Sequence, residues 1–182
     1  MQEKMRATFC LLGTMVVLAS GAIAAPSPAP AKGTRVSVPD SGLSYMPPLG
    51  WRTQSSSLTR EDNKICNAPF ENSFSPNFSI GVRDSTATAD HYLSEKAAEI
   101  IDDTPAMHIV SRAPFITASG LRGGRVVLDV RKPAAPRATR TVLYVFAVPH
   151  DQKICMITDA LSSDGSKYDA VLDACAKTFT VK

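Results

Sequence analysis

Apolar residues recur at spacings of three and four from Thr88 to Asp103, and this period predicts an amphipathic helix packed on a sheet. Thr88 suits the N-cap position, and Thr104 before Pro105 is expected to end the helix. The apolar stripe consists of Tyr92, Leu93, Ala97, Ile100 and Ile101.

Other stretches alternate between apolar and polar residues, which is typical of strands. The segment "GRVVLDVRK" alternates clearly, whereas "TRTVLYVFAVP" is apolar on both faces and is expected to be a central strand. "MHIVSRAPFITAS" contains Pro114, which favours an edge position. Weaker strands are predicted in "TRVSVPD", "GLSYM", "KICNAPF", "NFSIGVRD" and "KICMITDAL".

A second helix is predicted near the C-terminus, capped between Ser163 and Ser166. Its buried residues are expected to be Val171, Leu172, Cys175 and Phe179. The order of strands, helix, four strands and helix predicts an α+β fold, an antiparallel β-sheet with two main helices packed on it.

The N-terminus has the pattern of a secretory signal peptide. Lys4 and Arg6 precede an apolar run and a small-residue A-x-A site, which predicts residues 1–24 as the signal peptide with cleavage before Ala25. Residues 25–34 are a Pro- and Ala-rich lead-in, and residues 35–182 form one domain. We expect a periplasmic or secreted protein without a transmembrane span after cleavage; Met5 is an alternative start.

The charge balance excludes few functions. The chain carries 20 Lys and Arg against 17 Asp and Glu, a net charge of +3, and cleavage lowers it to +2 by removing Lys4, Arg6 and Glu3. This near-neutral balance does not favour a nucleic-acid partner.

Three cysteines remain after cleavage, which in an exported chain suggests one disulfide and one odd thiol. Cys155 on a strand and Cys175 on the returning helix are expected at similar heights, so their pairing is favoured. A disulfide from Cys66 to either of them, and three buried thiols, are the alternatives.

Basic residues concentrate around the hairpin predicted from "GRVVLDVRK" and "TRTVLYVFAVP". This cluster is a candidate contact for an envelope protein or an anionic lipid or glycan surface. Charges that only keep an edge soluble are the alternative. The cluster consists of Arg122, Arg125, Arg131, Lys132, Arg137 and Arg140.

Catalytic motifs are not evident. No G-x-S-x-G motif occurs, and "GLRGG" precedes a strand rather than the helix that a phosphate cradle needs. His91 and Glu95 share a helix face, but no third metal ligand is apparent. No cofactor is predicted. A small secreted enzyme of the hydrolase type, using His150 or Cys66, is the alternative to a binding protein.

Several stretches together resemble the PsbP-like and DcrB-like domains, an α/β sandwich of exported accessory proteins. "PDSGLSYMPPLGW" resembles the family's opening hairpin and turn, and "FSPNFSIGV" its strand before the helix. "TASGLRGGRVVLDV" and "YDAVLDACAKTFTVK" are similar to its central hairpin and closing helix. The resemblance covers about Val36 to Lys182; the cysteines depart from the family pattern.

The resemblance implies an exported, non-enzymatic binding or accessory module of the cell envelope, with no catalytic residue to transfer. In the opening motif, Pro47 and Pro48 stiffen the turn, Gly50 permits it, and Trp51 is expected to seal one end of the core. A ligand-stacking role for Trp51 is the alternative, and a purely structural envelope protein is a third possibility for the chain.

Overall fold

The structure is a computed structural model that describes residues 33–38, 41–55, 64–69, 74–130 and 138–182. The predicted signal peptide and most of the lead-in lie outside these residues. The elements in chain order are β1 (Val36–Ser37), β2 (Leu43–Tyr45), β3 (Arg52–Ser55), β4 (Lys64–Asn67), β5 (Asn77–Asp84), α1 (Ala89–Asp103), β6 (Met107–Ile116), β7 (Arg122–Val130), β8 (Thr139–Val148), β9 (Gln152–Leu161), α2 (Asp169–Ala176) and β10 (Thr180–Val181).

Among the described residues, the larger of two sheets has seven strands in the order β3-β4-β5-β9-β8-β7-β6, and every neighbouring pair is antiparallel. The segment that is apolar on both faces is β8, which has paired neighbours on both sides, as the sequence predicted. β6 lies at one edge and runs unbroken through Pro114, with a bulge between Ile109 and Ser111. The strand β3 was not predicted, because its sequence "RTQS" is entirely polar.

α1 covers one face of this sheet over β6, β7 and β8. Thr88 caps it by accepting a hydrogen bond from the His91 amide, as predicted. Leu93 and Ala97 are fully buried under the helix. Gly124 of β7 allows this close approach, because a Cβ there would lie 2.6 Å from Leu93 Cδ2.

The other face carries a three-stranded sheet of β1, β2 and β10, together with α2. The predicted opening hairpin is present, with Val36 opposite Tyr45. α2 begins later than predicted. Residues Ser162–Asp164 form a 3-10 turn that stops at Gly165, whose φ of 54° interrupts helical geometry, and α2 starts only at Asp169.

A chain of aromatic rings runs through the core between the two sheets. Trp51 stacks on Phe78 at a centroid distance of 5.8 Å, Phe78 contacts Tyr45, and Tyr45 contacts Phe179 at 5.7 Å. Beyond Phe179 the chain continues through Phe146, Phe115 and Tyr144. Trp51 is partly buried and packs against the core at one end of the sandwich, which favours a structural role over ligand stacking.

Within the described residues, no helix has the length and apolar character needed to span a membrane.

Candidate functional site: basic residues, an open groove and buried thiols

The predicted basic cluster does not form one exposed surface. Arg125 and Arg140 project from the face of the large sheet that carries α2, since Arg125 is in register with the buried Tyr144. Arg122 lies at the opposite end of β7 from the hairpin connection, about 30 Å away for a nine-residue strand. Arg131, Lys132 and Arg137 lie outside the described residues.

Arg125 is held by two carboxylates of α2. Its Nε donates to Asp173 Oδ1 at 2.8 Å, and its Nη2 donates to Asp169 Oδ2 at 3.1 Å. The Tyr144 hydroxyl donates to the same Asp173 oxygen at 2.6 Å. Burial, with the nearby Asp173 charge as the next cause, raises the pKa of Tyr144, so this phenol stays protonated and acts as a donor.

Arg140 joins the same cluster from β8. Its Nη2 donates to Asp169 Oδ2 and its Nη1 to Asp129 Oδ2, both at 2.9 Å. The side chain of Arg140 is only 11% exposed, and those of Asp129 and Asp169 are 16% and 20% exposed. The hydrogen bond to Asp169 raises the pKa of the guanidinium, which keeps it cationic.

These contacts correct the sequence-based interpretation of Arg125 and Arg140. Their charges fasten α2 to the sheet and are not available to a partner. A signal was present in the sequence, because Asp169 and Asp173 stand four residues apart and share a face of the final helix. Asp129 is close to these arginines in the sequence, whereas Asp169 and Asp173 are remote from them, so local charge patterning does not reveal the contacts to α2.

Arg122 is the exposed member of the described cluster, and it borders an open groove. The groove lies beyond the first turn of α1, where β6, β7 and β8 are uncovered, and it has a volume of about 560 Å³. Its lining residues are Ala89, Asp90, Arg112, Ala113, Pro114, Arg122, Gly123, Gly124 and Ala147.

The predicted disulfide between Cys155 and Cys175 is absent, because the sheet separates the two residues. Cys155 packs with Leu93 and Ala97 under α1, whereas Cys175 packs in the core on the other face. Side chains alternate between the two faces of a strand, and Cys155 falls on the face away from α2. Similar height along the sheet had suggested the pairing, but height does not identify the face.

The two residues of the enzyme alternative lie far apart. Cys66 is in register with Phe78, which is in register with Thr158. His150 lies in the turn that precedes Gln152, so about 20 Å of β9 separates it from the level of Cys66. Cys66 is also fully buried. Cys66 and His150 therefore do not form one thiol–imidazole site.

Metal ligands are equally dispersed. His91 Nε2 lies 3.1 Å from Glu95 Oε1 on the exposed face of α1. No group of three or more His, Cys, Asp or Glu residues converges within the described parts of the chain.

Alkylation tests the state of Cys66 directly. Burial raises the pKa of its thiol to about 11 from 9.0, although a hydrogen bond from Thr53 Oγ1 at 3.8 Å opposes the shift. At pH 8 the folded protein should therefore hold roughly 100-fold less thiolate at Cys66 than the unfolded chain. We expect iodoacetamide to label Cys66 only after unfolding in urea, as measured by peptide mass spectrometry; comparable labelling of the folded protein would contradict this burial.

The same shift has a consequence for stability. The folded state favours the neutral thiol. The contribution of Cys66 to the free energy of unfolding is therefore complete below the unfolded pKa of 9.0 and is lost as the pH rises towards 11.

The fold is the PsbP-like α+β sandwich, as the resemblance in the sequence implied. The chain is similar to the solution structure of cyanobacterial PsbP (CyanoP) from Synechocystis sp. PCC 6803, with a TM-score of 0.59 and 12% identity, over 94% of this chain and 99% of that chain. It is also similar to LpqN, which is involved in cell envelope biogenesis of Mycobacterium tuberculosis, with a TM-score of 0.57 and 12% identity, over 82% of this chain and 85% of that chain. No protein-family model and no curated protein matches the sequence.

Proposed function

We propose that the chain is an exported, non-enzymatic binding or accessory module of the cell envelope. The observation that carries this proposal is an open groove beside the exposed Arg122, at one end of the large sheet. The charges of Arg125 and Arg140, by contrast, are neutralised by ion pairs within the fold. Such an arrangement suits recognition of a partner, since the ionic groups that stabilise the fold are separate from those that face solvent.

The fold and the N-terminal sequence support the same proposal. LpqN, which shares the fold, is involved in cell envelope biogenesis. The predicted signal peptide, residues 1–24, would deliver this chain to the periplasm or the exterior. A secreted enzyme using His150 or Cys66 is the alternative; it is less favoured for Cys66, which is fully buried, and the two residues do not share one site.

The partner contact is proposed at the basic residues that remain available. Within the described structure this is Arg122; from the sequence alone, Arg131, Lys132 and Arg137 are added at the hairpin connection. The proposed partner is an acidic envelope protein, which positive side chains would attract and orient. Nucleic acid is not proposed, because no aromatic side chains alternate with these charges.

Crosslinking in intact cells that produce the protein tests the proposal. The wild-type protein is compared with Arg122→Glu and with a triple variant, Arg131→Glu, Lys132→Glu and Arg137→Glu, followed by affinity capture. We expect one or both variants to lose a partner that the wild type captures, and we expect that capture to weaken with added salt because charge attraction is screened.

Arg52→Glu is the matched control, because Arg52 is an exposed arginine on β3, at the opposite edge of the large sheet from β6. It makes the same charge change and should leave the partner bound. Equal capture by all variants would reject the basic contact. Hydrolysis of an envelope substrate by the wild type, abolished by substitution of Cys66 or His150, would reject the non-enzymatic function.

A further inference from the structure

The groove beside Arg122 has an apolar floor made by short side chains. Gly124 is held against Leu93 and contributes no side chain to the floor, and Pro114 and Ala147 add only small apolar surfaces. The low floor explains why a volume of about 560 Å³ stays open over the sheet, within the range of roughly 300–1,000 Å³ that small-molecule pockets occupy.

An exposed apolar side chain extends this floor towards Arg122. Ile116 of β6 is 55% exposed and lies directly opposite Arg122 in the antiparallel register. Because paired residues project from the same face of a sheet, Ile116 and Arg122 stand side by side at the end of the groove. Apolar surface and positive charge are therefore adjacent.

The two arginines of the groove differ in their partners. Arg112 Nη2 donates to Asp90 Oδ1 at 2.6 Å, to the Asp90 carbonyl at 2.9 Å and to Ser94 Oγ at 2.8 Å, so its charge is balanced by α1. Within the described residues, the Arg122 side chain has no ion pair or hydrogen bond. The groove thus has one surplus positive charge, located at its exposed apolar end.

We propose that this groove binds a free single-chain amphiphile with an anionic head group, of the fatty-acid class. The carboxylate pairs with the Arg122 guanidinium, which can donate two parallel hydrogen bonds to it. The acyl chain lies along Ile116, Pro114, Gly124 and Ala147, where it replaces water over apolar surface. A cationic head group would be repelled, and a ligand without an acyl chain would leave the floor unfilled. This ligand is distinct from the protein partner proposed above, and either proposal can fail alone.

Calorimetric titration of the purified protein with octanoate, decanoate and dodecanoate, each below its micelle-forming concentration, tests the proposal. We expect saturable binding that strengthens about two- to fourfold for each methylene group that enters the groove. Arg122→Glu should weaken dodecanoate binding by about tenfold or more, because a charge-assisted hydrogen bond is replaced by repulsion. Ala147→Phe, which fills the groove from the exposed end of β8, should weaken it without changing the head-group contact.

Arg52→Glu again provides the matched control and should bind dodecanoate with wild-type affinity. Dodecyltrimethylammonium, with the same chain and the opposite charge, should not bind. The proposal is overturned if dodecanoate shows no saturable binding, or if the Arg122 and Ala147 variants bind as the wild type does. It is also overturned if only phosphatidylglycerol vesicles bind in an Arg122-dependent manner, since the site would then recognise a membrane surface.

Discussion

Replacing Arg140 with methionine is expected to lower the free energy of unfolding by about 3–5 kcal/mol, which would be among the largest effects of any single substitution in this chain. The substitution keeps most of the aliphatic side chain but removes the cation between Asp129 and Asp169, whose side chains are 16% and 20% exposed. Two largely buried carboxylates would then lose part of the positive charge that neutralises them. Urea unfolding monitored by circular dichroism measures the change.

Arg112→Met is the matched control. Arg112 is also paired with an aspartate, at 2.6 Å, but the two side chains are 36% and 81% exposed. Exposed ion pairs contribute about 0–1 kcal/mol, so this variant should be close to wild type. If Arg140→Met also changes stability by less than 1 kcal/mol, Arg140 does not fasten α2, and its charge must be counted among those open to a partner.

Phe179→Ala is expected to destabilise the protein by about 3–5 kcal/mol, because it leaves a cavity where the two sheets meet. Phe179 is fully buried and contacts the rings of Tyr45 and Phe146, both at 5.7 Å. Its loss interrupts the chain of rings that begins at Trp51. Because the residue immediately precedes β10, we also expect the three-stranded sheet to open first, which hydrogen exchange of the β2 and β10 amides would detect.

Ile116→Ala serves as the control for this substitution, since it also removes a large apolar side chain but at a position that is 55% exposed. Its effect on stability should remain within about 0.5 kcal/mol. If Phe179→Ala lost as little stability as Ile116→Ala is expected to lose, the aromatic contacts of Phe179 would add little to the stability of the fold.

The elements with strong periodicity could be predicted from the sequence, because their patterns reflect local geometry. The stripe at three- and four-residue spacing places α1 correctly, and the double-sided apolar run of β8 places it within the sheet. β3 could not be found, since a short polar edge strand is defined by its pairing with β4 and not by its own sequence.

For the site, the sequence could predict which charged residues lie near the hairpin, but not which of them are paired. The sequence shows six basic residues near one hairpin, but it does not show that α2 returns over this hairpin with Asp169 and Asp173 facing it. The cysteine pairing failed for a related reason: strand and helix lengths set the height of Cys155 and Cys175, whereas the face of β9 is decided by the whole sandwich. The groove at Arg122 depends on where α1 begins relative to the sheet, which is also a tertiary property.

Partner capture by in-cell crosslinking is the measurement that tests the proposed function most directly. The comparison is between Arg122→Glu, the triple variant at Arg131, Lys132 and Arg137, and the control Arg52→Glu. An accessory module that binds through its available basic residues should lose a specific partner in at least one of the first two proteins and keep it in the third. A captured partner that is identical in all of them, or a catalytic activity that requires Cys66 or His150, would contradict the proposal.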